Sequence, residues 1–162
     1  MLKFPISSTA FEKLKEEIYF LKHTERPNIS KAIAEAREFG DLSENAEYHA
    51  ARERQAFIES RIADLEDKVA RAEVIYIDKI SSDKVTFGAT VKIMDDDTEE
   101  ELSYMIVGEY EADISKYRIS IQSPIAKALI GRKVGDLVEV ITPKGEKGYK
   151  ILDIKYLDIK DM

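Results

Sequence analysis

Two apolar seams at coiled-coil spacing run through the first 75 residues and constrain this chain more than any other feature. Phe11, Leu14, Ile18 and Leu21 follow one another in steps of 3-4-3, and Ile58, Ile62, Leu65, Val69 and Ala72 in steps of 4-3-4-3. Such steps put side chains on one face of a helix, and Glu, Lys and Arg fill the other faces. Only Pro27 and Gly40 interrupt the stretch from Thr9 to Ile75. Thr9 with Glu12 predicts a capping box that opens the first helix. Pro27 predicts a kink, beyond which Ile29, Ile33 and Ala36 continue the apolar face. Gly40 is a natural stop, and the second helix is expected to start at Asp41. Two helices of about 30 residues with facing seams fold back as an antiparallel hairpin roughly 45 Å long.

The hydrophobic period changes near Asp78. Ile80–Lys84 reads as a linker. Short alternating runs follow, at Val85–Phe87, Ala89–Ile93, Tyr104–Val107, Ile119–Ile121, Leu137–Ile141 and Tyr149–Tyr156. They are rich in β-branched and aromatic residues and predict strands. Asp95–Thr98 and Thr142–Gly145 predict turns. One short helix, Pro124–Ile130, is expected between Ser123 as N-cap and Gly131 as stop. The fold class is therefore α+β: an N-terminal helical hairpin over residues 1–77 and a compact antiparallel β domain with a short helix over residues 78–162.

Charge and composition narrow the function. The 162 residues carry 25 Lys and Arg against 32 Asp and Glu, a net charge of −7, and no Cys. Thiolate metal sites and disulfides are excluded. No apolar run is long enough to span a membrane, no secretory signal is visible at the N-terminus, and a cytoplasmic protein fits best. Bulk electrostatics speak against a protein that grips nucleic acid by its overall field. No P-loop, dinucleotide fingerprint or nucleophile elbow is present. His23 and His49 have no partner at ligand spacing and read as ordinary helix residues.

The chemistry-bearing segment is the turn, Gly40-Asp41-Leu42-Ser43-Glu44-Asn45. Asp41 with Glu44 fits a reciprocal N-terminal cap. The same two carboxylates could instead hold a hard cation such as Mg²⁺, which takes one or two protein carboxylates and leaves the rest of its shell to others. Arg37 and Arg52 flank the turn, with Tyr48 between them. They could meet phosphates, or could simply pair with acids such as Glu38 and Glu53.

The segment from Ile33 to Glu53, IAEAREFGDLSENAEYHAARE, resembles the bacterial transcript cleavage factors of the GreA/GreB family, on its GreA side. The stretches Phe87–Val91, Tyr104–Gly108 and Ile121–Gly131 agree, and the likeness covers nearly the whole chain, leaving Asp158–Met162 as a tail. The resemblance implies a coiled-coil hairpin joined to a C-terminal domain of a fold like the FKBP prolyl isomerases. It implies a monomeric factor, not itself an enzyme, that enters the secondary channel of bacterial RNA polymerase and stimulates the polymerase to cleave backtracked RNA near its 3′ end. By the same likeness Asp41 and Glu44 are the tip acids that share a second Mg²⁺ with the polymerase and help position a water. Arg37 and Arg52 face the RNA, and Ser123, Pro124, Ile125 and Ala126 dock on the polymerase. The alternatives are a GreB-type factor, disfavoured by the acidic pI near 5.0, a channel-binding inhibitor, disfavoured by the intact acids, and a prolyl isomerase or chaperone, disfavoured by the absence of Trp.

Overall fold

The computed structural model describes residues 2–41 and 44–159, so Leu42 and Ser43 of the turn lie outside the described residues. By contacts the chain forms two units, one of Glu12–Arg71 and one that joins Met1–Phe11 to Ala72–Met162. The boundary thus falls elsewhere than the expected 77/78 division. The reason is a pair of short strands, β1 (Phe4–Ser7) and β2 (Ala72–Ile75), which run parallel with Phe4 opposite Ala72 and Ser7 opposite Ile75. Neither is visible as a strand in the sequence, and Ala72–Ile75 reads there as the end of the second helix.

The helical unit begins in α1 (Ser8–Phe20), whose opening is capped by Ser7 rather than by Thr9: the Ala10 N–H donates to Ser7 Oγ at 3.2 Å. Leu21–Glu25 form a π-helical turn, and α2 runs from Arg26 to Arg37 with Pro27 in its first turn. Pro27 has no N–H, and its ring crowds the carbonyl four residues back. The backbone answers by widening, with the Arg26 N–H reaching back to the Leu21 carbonyl, while Glu25 and Arg26 keep helical dihedrals. Helix α3 (Ala46–Arg71) packs against α2 through Ile29, Ile33, Ala51, Ile58 and Ile62, all buried, with Leu21, Ala32 and Tyr48 at the margin. Cross-helix ion pairs fix the register: Arg26–Glu59 at 2.7 Å, Arg61–Glu17 at 3.0 Å, Lys22–Glu66 at 3.1 Å and Arg54–Glu25 at 3.2 Å. Each exposed pair contributes at most about 1 kcal/mol, so the apolar seam carries the stability and the charges select the alignment.

In the second unit a five-stranded sheet has the order β5-β4-β3-β7-β6, from β3 (Thr90–Asp95), β4 (Glu101–Val107), β5 (Arg118–Ser120), β6 (Leu137–Thr142) and β7 (Gly145–Lys155). It is mixed rather than wholly antiparallel, because β5 runs parallel to β4. Helix α4 (Pro124–Leu129) supplies Ala126 and Leu129 to a core with Val91, Ile93, Ile106, Val138 and Ile151. Val85–Phe87 pack as coil instead of forming a strand. The tail is not loose as far as it is described: Ile159 is buried with Ile77 and Val107, and Asp158 accepts from Thr9 Oγ1 at 3.1 Å.

Glu111 ties β1 to this unit. It is 4% exposed, and one carboxyl oxygen accepts from the Ser7 N–H at 3.0 Å while the other has no hydrogen-bond partner among the described residues. Nearby, a Cβ at Gly108 would sit 2.7 Å from the Pro5 carbonyl oxygen, so only glycine lets β1 come this close. Burial pushes the Glu111 carboxyl above its usual range, against the opposing hydrogen bonds from Ser7. A raised folded-state value means the native protein holds its proton longer than the unfolded chain. Glu111 therefore favours folding at acidic pH, and that contribution is lost as pH rises from the ordinary carboxyl range through the raised value. Denaturant titrations of the wild type and Glu111→Gln across this window should show the wild type losing stability relative to the variant as pH rises. A constant difference between them at all pH values would contradict this.

Candidate functional site

Helix α2 ends at Arg37, and the next residues are held by short-range bonds: Phe39 N–H to the Ala36 carbonyl at 3.2 Å and Gly40 N–H to the Arg37 carbonyl at 3.5 Å. Gly40 has φ +108°, a conformation that side-chain-bearing residues rarely adopt. The chain then turns, and α3 starts at Ala46.

The residue that caps α3 is Asn45. Its Oδ1 accepts from the Tyr48 N–H at 3.0 Å, and its Nδ2 donates to the Ala36 carbonyl at 2.6 Å. One side chain thus satisfies a donor at the start of α3 and a carbonyl in the last turn of α2. This corrects the expectation that Asp41 and Glu44 form the cap. The helix begins several residues later than Asp41.

Asp41 and Glu44 are both exposed and line one open hollow with Phe39, Asn45, Ala46 and Glu47. Glu47 was not singled out by its sequence position. It stands three residues after Glu44, a helical neighbour spacing, but α3 must first be known to start at Ala46. Among the described residues no group of three or more His, Asp or Glu is disposed to hold a metal ion. The tip acids offer oxygen ligands only, suited to a hard cation, and too few to complete its shell.

Arg37 and Arg52 differ from the other arginines of the hairpin. Arg26, Arg54, Arg61 and Arg71 each make an ion pair. Arg37 instead lies 5.9 Å from the centre of the Tyr48 ring, and Arg52 donates to Gln55 Oε1 at 3.3 Å. Both are exposed and keep their charge unneutralised by any acid among the described residues. The pairing with Glu38 or Glu53 that a solvated helix face would show is absent from them. His49 is exposed and makes a ring contact with Tyr48, and His23 does so with Tyr19.

The expected docking segment lies in the second unit. Ser123 is the N-cap of α4, accepting from the Ala126 N–H at 3.2 Å, and Pro124 is exposed. Ile125 is half-buried. Ala126 is fully buried in the core, so it cannot be a contact residue itself, because the third residue after the cap faces the sheet.

A model of the N-terminal region of GreA/GreB transcription elongation factors matches residues 4–74, and a model of their C-terminal region matches residues 80–156. The chain belongs to the GreA/GreB transcription elongation factor family. Family members named transcription elongation factor GreA include that of Rickettsia felis, 64% identical over 158 residues and 98% of either chain. That of Rickettsia typhi is 65% identical over 157 residues and 97% of either chain. That of Chelativorans sp. is 58% identical over 96% of this chain and 99% of its own. Among solved structures, GreA factor homolog 1 (Gfh1) of Thermus thermophilus is 28% identical and aligns over 94% of this chain and 99% of that one, with a TM-score of 0.43.

The reassigned cap gives a direct test of what holds the tip together. Asn45→Ala should destabilise the hairpin by about 1–2 kcal/mol, read as earlier loss of helical circular dichroism on heating. Glu44→Gln should melt close to the wild type. If that variant loses as much as Asn45→Ala, Glu44 is structural after all.

Proposed function

We propose that this chain binds bacterial RNA polymerase through its secondary channel and stimulates the polymerase to hydrolyse backtracked RNA, rescuing arrested transcription complexes. The observation that carries the reading is the placement of Asp41 and Glu44, both exposed, on one open hollow at the hairpin turn. Two exposed carboxylates at a hairpin turn are suited to completing a site on another molecule.

In this reading Asp41 and Glu44 bring negative charge and hard oxygen ligands to the polymerase active site. They would hold Mg²⁺ together with groups of the polymerase, because the two alone leave most of the shell open. When bound, such an ion supplies an acidified water and stabilisation of the leaving oxygen in phosphodiester hydrolysis. The carboxylates also accept hydrogen bonds from water and can orient it toward the phosphorus. Arg37 and Arg52, whose charges no acid among the described residues neutralises, attract the phosphates of the extruded RNA. Ser123 and Pro124, with half-buried Ile125 behind them, form the docking contact of the second unit. The factor acts as a monomer and is not a nuclease by itself. Its net charge of −7 is tolerable because the polymerase holds the nucleic acid.

The test uses a halted, backtracked polymerase complex with Mg²⁺ and 3′-labelled RNA. The wild type should shorten the RNA from its 3′ side only when polymerase is present. Asp41→Ser and Glu44→Gln should each reduce cleavage by a factor of about 100 or more, the scale of losing a group that stabilises transition-state charge, while still competing with the wild type for polymerase. Arg37→Ala and Arg52→Ala should weaken it less, and more so as salt rises. RNA cutting by the purified factor alone would overturn the reading.

A further inference from the structure

We infer that Phe39 is a stacking platform for the unpaired RNA base beside the bond at which Asp41 and Glu44 act; the inference rests on the function proposed above. Phe39 is 73% exposed, so it contributes little to any core, and among the described residues no ring or cation packs on it. Its root is nevertheless fixed, since its N–H bonds the Ala36 carbonyl. It stands two residues before Asp41, so their Cα atoms are at most about 7 Å apart, and its side chain lines the same hollow as Asp41 and Glu44. A large apolar ring presented to water next to a pair of carboxylates has an evident complement in a nucleotide. The acids of this hollow offer nothing to a base, so holding the base beside them needs a neutral attraction. A base face on an aromatic ring supplies one, and it tolerates any base because every base has a π-face.

Phe57 provides an internal comparison. It is 71% exposed but lies eleven residues into α3, about 16 Å along the helix axis from the tip at 1.5 Å per residue. It offers the same ring without the carboxylates.

The experiment measures cleavage in complexes backtracked by one nucleotide whose 3′-terminal residue is a purine, a pyrimidine or abasic. Wild type, Phe39→Ala, Phe39→Trp and Phe57→Ala are compared, with polymerase occupancy checked by competition and folding by thermal melts. Phe39→Ala should slow cleavage of base-bearing ends about ten- to a hundredfold, and leave the already slower abasic end unchanged. Phe39→Trp should retain wild-type rates, and Phe57→Ala should not discriminate between base-bearing and abasic ends. Full activity of Phe39→Ala would overturn the inference. So would an equal loss on abasic ends, which would make Phe39 a contact with polymerase protein. If the wild type itself fails to shorten any of these RNAs, the proposed function falls first and the inference with it.

Discussion

A helical hairpin has one place where its backbone is necessarily unsatisfied, the turn, where the last carbonyls of one helix and the first N–H groups of the next lose their partners. Asn45 answers both ends at once, bonding the Tyr48 N–H and the Ala36 carbonyl. A single side chain thus bridges the two helix ends across the turn. Gly40 supplies the reversal in backbone direction, and Asn45 fixes the two helix ends against each other. Phe39, Asp41 and Glu44 stand exposed on the turn, where contacts outside the chain can reach them. Phe39 starts from a backbone already held by its bond to the Ala36 carbonyl, which lowers the entropy lost when a partner engages it.

The same division between stability and contact appears in the charges. Along the hairpin most arginines are neutralised across or along the helices, where they align α2 and α3. The exceptions, Arg37 and Arg52, flank the turn. A protein of net charge −7 can therefore present a small positive zone to phosphate, provided another molecule supplies the bulk of the binding. The overall charge then reports solubility, and the local distribution reports contact.

The hairpin and the β domain were legible in the sequence because periodicity is a property of many residues together. The burial of Ile29, Ile33, Ile58, Ile62 and Leu65 follows the seams directly. Features that depend on a single boundary were not legible. Asp41 with Glu44 and Thr9 with Glu12 both match a capping pattern, yet the caps are Asn45 and Ser7, because a cap is defined by where the helix starts and several nearby residues can serve. The strands β1 and β2 were hidden because each has four residues and its partner lies far along the chain. Ala126 was misread as a contact because naming the N-cap does not tell which face of a short helix meets the core. At the candidate site, Asp41, Glu44, Arg37 and Arg52 stood out by residue type around the turn, and family resemblance supplied the roles expected of them. Phe39 and Glu47 needed the hollow they line to be seen.

A site with two carboxylates has a consequence for control under the proposed function. In water each carboxylate is strongly hydrated, and a hard cation gives up its own waters reluctantly, so two flexible exposed ligands capture it poorly. Further carboxylates close enough to share one cation would raise affinity in the free protein and also raise repulsion toward RNA phosphates. Keeping the set incomplete makes cation binding conditional on a partner that contributes the missing ligands. The factor's chemistry is then confined to complexes where an RNA end and the partner's ligands are present together, and the free protein stays inert toward other RNA.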